Sequence, residues 1–464
     1  MFNHVQIRPV EKLLVLLICG IVFNSCQNSS HDSRESNFSK QTWVDSIDLY
    51  LNAMGENKHF NGQVLIGNSK DKLFFKSYGF SDRENKVGIS DSSKFLIGSI
   101  TKTFTAACIL ILQEQGKLSI KDSLYKYFPD FKRSKDISLE NLMMHTSGIR
   151  DYHELNTWKS ESMQDLPVDY TISQLSKSSL RFEPGSDFRY SNTGYILLGL
   201  IIEKVSGLSF EAFLQKEILS KLSLKETGVI ENDKDISNLA KPYKSTPRGV
   251  KPADWINYKQ PFTSGNMYST CTDLKTFTYA IVENKLLPTK YNELIFNTKE
   301  PYGFGWGTRQ FEDYVAFGHH GAMNGYSGSI TYLPQDDVFV CFLTNDDNTP
   351  RNKVFNDLIK MLKHDSIVIP RKINYVEHRV ENLKKHEGSY LIKQGDTIRI
   401  RRRGNQLFLK ETGQEEMELY AVDSNSYKFN ILEFEVRFDQ IRNNQAHRLY
   451  LTNSQATEAI RIKD

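Results

Sequence analysis

Ser99 and Lys102 stand three residues apart in Ser99-Ile100-Thr101-Lys102, a spacing that puts a hydroxyl and an amine on one helix face, within mutual reach. A serine hydroxyl is a weak nucleophile until a base removes its proton, and a desolvated lysine loses enough of its charge preference to serve as that base. The pattern alone is unselective, because Ser69-Lys70-Asp71-Lys72 repeats it. That copy lies in a turn between two alternating stretches. The Ser99 copy follows apolar Phe95 to Ile97 and Gly98, which permits a tight turn, and precedes Ile100, Phe104, Ala107, Cys108 and Ile111 at helical spacing, with Gly116 as the stop. Two further segments carry reactive side chains. Tyr190-Ser191-Asn192 offers a phenol and an amide ahead of the helical run Tyr195 to Val205; taken alone they read rather as a half-buried core tyrosine and a turn or cap residue. His145-Thr146-Ser147-Gly148 holds a histidine and a serine two apart, which on a helix face different ways, so this segment reads as structural, with Gly148 ending a helix and His145 holding the loop. The other histidines lack ligand spacing, so neither metal nor cofactor is expected.

The elements that must position these groups follow from the pattern of apolar residues. Gln63 to Ile66 and Leu73 to Tyr78 alternate around a turn and predict a β-hairpin. The middle of the chain is helical in texture, and strands return after Tyr302 in YGFGWGTR, YVAFG, SGSITYLP and VFVCFLTN. Strands first, helices between and strands last predict an α+β domain over 41–367, its antiparallel sheet pairing the two sequence ends around a large helical insert. A helix at Lys353 to Lys363 precedes Pro370. From 371 to 464 the chain changes to short alternating runs (GSYLI, DTIRIRRRGNQLFLK, MELYAV, HRLYLT), a small all-β barrel or sandwich. Its basic run Arg399-Ile400-Arg401-Arg402-Arg403 is a solvated strand face turning at Gly404-Asn405, since Ile398 and Ile400 alternate with the arginines.

Composition bounds the function. With 464 residues, 39% of them hydrophobic, the chain can bury a full core. Its 59 Lys and Arg against 56 Asp and Glu are too balanced and dispersed for a nucleic-acid binder. Five cysteines are too few for a disulfide scaffold, and Cys108 and Cys341 sit in apolar runs as buried small hydrophobes.

Four stretches in order, FLIGSITKTFTA around Ser99 and Lys102, LENLMMHTSGIRDY, PGSDFRYSNTGYILLG and FGHHGAMNGYSG, resemble the penicillin-recognising serine hydrolases, the class C β-lactamase and D-Ala-D-Ala peptidase family. SGNMYSTCTDL and YGFGW echo it, and the likeness spans about 58–347. The resemblance implies a β-lactamase/transpeptidase-like fold, with Ser99 as the acylated nucleophile and Lys102 as its proton acceptor or as the charge that lowers the pKa of Tyr190. It also implies Tyr190 as second acid/base and Asn192 as a hydrogen-bond partner of substrate and Lys102. The implied oxyanion hole is the backbone N–H groups of Ser99 and Ala322, on an edge strand, each such donor typically worth about 3–4 kcal/mol. Where most members carry Lys-Thr-Gly this chain has His319-His320-Gly321, which resembles D-aminopeptidase and esterase-like members. His319 and Gly321 then face the substrate, with a histidine that is mostly neutral at pH 7.5 and becomes cationic below about pH 6.5. The C-terminal segment resembles the lipocalin-like β-domain that accompanies some of these peptidases. The resulting expectation is a serine hydrolase working through a Ser99 acyl-enzyme on small amides, peptides (D-amino-acid ones included) or esters. A true β-lactamase or D-Ala-D-Ala carboxypeptidase is the rival enzyme, and a non-catalytic penicillin-binding or sensor protein the rival of another class.

Leu13 to Phe23 is an apolar run of eleven residues behind Arg8 and Lys12, the length and charge order of a signal peptide and too short for a bilayer-spanning helix. It ends in Phe23-Asn24-Ser25-Cys26, which resembles a bacterial lipoprotein processing box. The expectation is a signal peptide over 1–25, a lipid on Cys26, a polar tether over 26–40, and an exported chain in the periplasm or cell envelope whose partners are its substrate and the membrane. An ordinary secretory peptide is the alternative. Cys26→Ser is expected to move the protein from the membrane to the soluble fraction; a mutant that stays on membranes contradicts the anchor.

Overall fold

Every residue of Gly62–Gly67 (β1) is buried, whereas Lys72–Tyr78 (β2) alternates between exposed and buried positions. The first pattern is that of an inner strand covered on both faces, the second that of an edge. In the computed structural model β1 pairs antiparallel with β2 on one side and with Val338–Thr344 (β7) on the other, in the register Leu65↔Cys341. Tyr302–Gly303 (β3), Trp306–Gln310 (β4), Val315–Met323 (β5) and Tyr326–Leu333 (β6) complete a seven-stranded sheet in the order β3-β4-β5-β6-β7-β1-β2. The two sequence ends of this domain therefore meet at the β1–β7 seam, as the order of textures requires. The structure describes residues 40–462 apart from 156, 158–163, 165, 231–235, 255, 297–299, 393–395, 412–415, 430–434 and 453–455. The signal peptide and the Cys26 lipidation site lie outside the described residues, as does the tether except Lys40, which opens the helix Lys40–Glu56.

Thr101–Glu114 (α1) has twelve buried residues among its fourteen, the mark of a core helix enclosed all round. Asn192–Ser206 (α2) packs against it, and the rings of Phe104 on α1 and Phe277 on Cys271–Val282 (α3) stack at 3.8 Å. Cys108, Cys271 and Cys341 are free and buried within this packing. A short antiparallel ladder joins Phe95–Leu96 to Met267–Ser269. Ile97 N–H continues it by donating to the Met267 carbonyl at 2.9 Å, so the turn before α1 lies beside the segment at Ser264.

β5 changes character along its length. Val315 to Gly318 pair with β4, while His319 to Met323 pair with β6 alone, so the strand is internal in its first half and an open edge only in its second. Against that edge lies the turn Ile97-Gly98-Ser99. Gly98 takes φ +50°, and a Cβ there would meet the Ala322 backbone; a Cβ at Gly321 would overlap the Ile97 carbonyl oxygen. Two glycines thus let one backbone cross another at contact distance, which no larger residue permits.

The C-terminal strands Gly388–Ile392, Thr397–Arg403, Gln406–Glu411, Met417–Ala421, Ser426–Lys428, Glu435–Arg442, Gln445–Thr452 and Ala456–Ile462 close into an eight-stranded antiparallel barrel, the first of the two all-β alternatives. Tyr390, Ile398, Ile400, Leu407, Tyr427, Phe438 and Leu449 fill it. Arg399 and Arg401 point outward, and Arg402 and Arg403 form ion pairs with Glu387 and Glu416. Contacts divide the chain into two compact units, 60–245 with 250–351, and the described part of 1–59 with 246–249 and 352–464. Among the described residues no helix is long and apolar enough to cross a membrane.

Because the Gly98–Gly321 crossing is backbone on backbone, Gly321→Ala is expected to lower stability in urea by about 1–3 kcal/mol and to impair turnover. Gly88→Ala, where a Cβ meets nothing within 4 Å, is the control; a Gly321→Ala protein as stable and active as that control contradicts the crossing.

Candidate active site

Lys102 is fully buried, the second residue of α1 and one turn beyond Ser99. Its Nζ lies 3.1 Å from Ser99 Oγ, 2.7 Å from Asn192 Oδ1 and 2.7 Å from the Ser264 carbonyl oxygen. Burial drags its pKa down to about 7, opposed by the Asp151 carboxylate. The two carbonyl oxygens can only accept, so they take two N–H bonds and leave the third direction of Nζ for Ser99. An amine fits that set in either protonation state, and once neutral it presents its lone pair to the serine hydroxyl.

Asn192 caps this arrangement because it is itself fixed. Ser191 is the N-cap of α2, its Oγ accepting from Gly194 N–H. Asn192 donates from its backbone N–H (2.5 Å) and from Nδ2 (3.0 Å) to Asp151 Oδ2, which turns Oδ1 toward Lys102. Asp151 also pairs through Oδ1 with His153 Nδ1 at 2.7 Å. Burial raises the Asp151 pKa, but these hydrogen bonds and the His153 charge outweigh it, and the carboxyl stays below its ordinary value. Asp151 directly follows the Gly148-Ile149-Arg150 turn in LENLMMHTSGIRDY, but nothing in its spacing to Asn192 announces the bond.

Tyr190 borders the solvent, 36% exposed. Lys102 Nζ lies 5.0 Å from its ring centre, and its hydroxyl shares a hydrogen bond with Ser99. Desolvation pushes the phenol pKa well up, with Ser99 pulling the other way. Of the two roles left open for Lys102, proton acceptor or charge that acidifies Tyr190, this favours the first: the lysine is near neutrality and the phenol holds its proton. His145 supports the ring from below at 4.3 Å between centres, and its Nδ1 accepts from Ser191 N–H at 3.1 Å. It therefore holds the loop, in the left-handed conformation (φ +58°). The preceding helix, Leu139–Met143, ends well ahead of Gly148, which corrects the expectation that Gly148 ends it. Gly148 instead takes φ +73° where a Cβ would overlap the Phe182 carbonyl.

His319 and His320 point to opposite faces of β5. His319 Nδ1 donates to the His320 carbonyl at 2.6 Å, which leaves Nε2 to accept from the Tyr302 hydroxyl at 3.0 Å. Burial, with the neighbouring Lys102, lowers its pKa to about 3. The expectation that His319 becomes cationic below about pH 6.5 is thereby corrected: both ring nitrogens are engaged and the ring stays neutral throughout the working range. His320 is held by Arg309 and by Ser329 Oγ. Gly321 offers its carbonyl to Arg351 Nη1 at 3.2 Å. Ser69, the decoy, binds Asp337 far from these groups.

A cleft of about 450 Å³ opens on this constellation, lined among others by Ser99, Asn192, His153, Ser264 and Ala322. Ser99, Lys102, Tyr190, Asn192 and the Ala322 backbone thus come together from three separate stretches of chain. The arrangement can deliver a serine oxygen to a carbonyl, with a base at its proton and two backbone segments, 98–99 and 321–322, against the same spot. Among the described residues no group of three or more His, Cys, Asp or Glu is placed to hold a metal ion.

Comparison with known proteins agrees with this geometry. The Beta-lactamase family profile matches residues 48–362. Penicillin-binding protein 4* of Bacillus subtilis is 26% identical over 459 residues, 91% of this chain and all of that protein. The teichoic acid D-alanine hydrolase of Staphylococcus aureus is 28% identical over 335 residues, 70% of this chain and 80% of that one. Among solved structures, the octameric penicillin-binding protein homologue from Pyrococcus abyssi superimposes with a TM-score of 0.63 at 24% identity, over 90% of this chain and 99% of the other. A seven-stranded sheet closed by its two sequence ends, a buried lysine beside a serine at a helix start, and a family profile over most of the chain lead to one conclusion: this chain belongs to the beta-lactamase family of serine hydrolases.

Proposed function

We propose that Ser99 is the acylated nucleophile of an exported hydrolase for small amides, peptides or esters, D-alanyl compounds among them. The observation that carries this reading is the buried Lys102 amine, 3.1 Å from Ser99 Oγ with its other two contacts made to carbonyl oxygens. In the first step Ser99 Oγ attacks the substrate carbonyl carbon while its proton passes to Lys102 Nζ. The oxyanion is held by the N–H groups of Ser99 and Ala322. Tyr190, still protonated, gives its proton to the leaving amine or alkoxide and regains one from Lys102. Water then attacks the acyl-enzyme by the reverse path, which frees the acid and restores the serine.

Substrate class follows from position 319. A lysine there offers a substrate carboxylate a permanent charge, whereas His319 is neutral and turned to Tyr302. This favours substrates without a carboxylate next to the scissile bond. The teichoic acid D-alanine hydrolase among the relatives supports a D-alanyl substrate. The carboxypeptidase or β-lactamase reading keeps one feature in its favour, the half-buried Arg351, which senses the Tyr190 phenol and whose Nε has no partner among the described residues. Export rests on the charge order and length of Leu13 to Phe23, and membrane attachment on Cys26.

A fluorophosphonate probe is expected to label Ser99 alone, located by peptide mass spectrometry. Ser99→Ala removes nearly all turnover, adding Lys102→Ala costs little more, since the residues act as a unit, and Ser69→Ala leaves labelling intact. Label on Ser147 or Ser69, or full turnover by Ser99→Ala, contradicts the mechanism. The pH profile carries a sign: only neutral Lys102 accepts the proton, so kcat/KM rises about tenfold per pH unit on the acid side and levels above about 7. His319→Gln keeps that inflection where it is, because His319 does not titrate there; an inflection that vanishes with His319 assigns it to the histidine instead. Benzylpenicillin is expected to turn over more slowly than a D-alanine amide or a butyrate ester, and the opposite order favours the β-lactamase reading.

A further inference from the structure

The cleft that exposes Ser99 also contains a carboxylate that the chemistry above does not use. Asp347 lines it together with Asn192, Ala322 and Asn324. The residue lies just past β7, where its backbone N–H donates to the Tyr243 carbonyl at 3.1 Å and so fixes its position. Its side chain accepts from the Gly325 N–H in the β5–β6 turn, three residues beyond Ala322. Yet Oδ1 is buried and has no hydrogen-bond partner among the described residues. The neighbouring Asp346 is the contrast. It accepts from the backbone N–H groups of Ser245 and Asn348, each at 3.1 Å, and from the Ser245 hydroxyl, and is a structural carboxylate with both oxygens engaged.

Burial pushes the Asp347 pKa up to about 6; Lys244 opposes the shift, and Asp346 and Asp254 add to it. The group is therefore ionised at neutral pH, in a place where an unpaired carboxylate oxygen is costly. A substrate ammonium is the group whose charge and N–H donors would pair it. On the other side of the site His319 carries no charge, and the cation there, Arg351, is already engaged with the Gly321 carbonyl.

We propose that Asp347 receives the ammonium group of the substrate, so that the enzyme selects aminoacyl or short peptidyl amides and esters whose amino group is free. This rests on the Ser99 hydrolase reading and adds to it which molecules the site chooses. It also makes Asp347 a specificity residue, with no part in bond breaking.

The test uses the p-nitroanilides of D-alanine and of glycyl-D-alanine, each with a free and with an acetylated amino group, and p-nitrophenyl butyrate as an uncharged reference. The wild-type protein is expected to favour the free amine in at least one pair by about tenfold or more in kcat/KM, the factor that a charge-assisted hydrogen bond supplies. Asp347→Asn, which keeps the shape and removes the charge, is expected to shrink that ratio to near one. Equal losses on the free and acetylated partners would make Asp347 a merely structural residue and overturn the proposal. So would a wild-type protein that hydrolyses the butyrate ester but shows no free-amine preference in either pair, a result that leaves the Ser99 mechanism standing. Failure on all five substrates together with no fluorophosphonate labelling of Ser99 overturns the hydrolase reading itself.

Discussion

An amine with no access to water sits at the centre of this protein, and its burial sets conditions that the surrounding fold must meet. Moving the Lys102 pKa from 10.5 to about 7 corresponds to on the order of 5 kcal/mol against folding at any pH below about 7. That penalty fades as pH rises from 7 toward the unfolded value of 10.5, since the folded state then loses its proton first. What the fold obtains in exchange is a base at neutral pH, held by two carbonyl oxygens so that its lone pair has one direction left. Asn192 can offer its oxygen only because Asp151 takes both of its donors, and Asp151 is placed by the same loop that carries His145.

The second constraint is steric. The nucleophile and the oxyanion donors belong to different elements, a turn before a core helix and the open half of β5, and they meet only if two backbones cross at contact. Gly98 and Gly321 make that possible. The same crossing explains the ordering of β5, which pairs with β4 up to Gly318 and then leaves its edge free where substrate must lie. In such a site the charge of residue 319 matters less for building the nucleophile than for choosing what approaches it. Here the ring is neutral and turned to Tyr302, while the carboxylate of Asp347, with one oxygen unpartnered among the described residues, belongs to the same cleft.

Much of this was legible in the sequence, and the reasons are local. The hairpin at β1 and β2, the helix after Ser99 and the strands after Tyr302 follow from periodicity and from Gly, Asn and Pro at the turns. The motif order identified the fold, and Ser99 was separated from Ser69 because only one of them had a helix behind it. The parts that stayed hidden depend on distance across the fold. Nothing in LENLMMHTSGIRDY says that Asp151 will take both donors of Asn192, and nothing in SGNMYSTCTDL says that the carbonyl of Ser264, rather than a side chain, will hold the lysine. The behaviour of His319 was misjudged for a physical reason: a histidine on an open strand edge suggests solvent, but alternation along β5 turned this ring to the buried Tyr302. Asp347 is not legible in the sequence, because an acidic residue after a strand reads as a turn; its place in the cleft and its unsatisfied Oδ1 distinguish it from Asp346 beside it.

The claim on which everything else depends is that Lys102 is a neutral amine at working pH. It can be read directly by titrating 13Cε-lysine-labelled protein by NMR, with Lys102→Met identifying the resonance. The account expects one lysine signal, absent from the mutant, to titrate near pH 7, well below the ordinary lysine value of about 10.4. A Lys102 signal that titrates with the exposed lysines would contradict it, because the amine would then be a fixed ammonium and some other group would have to take the proton of Ser99.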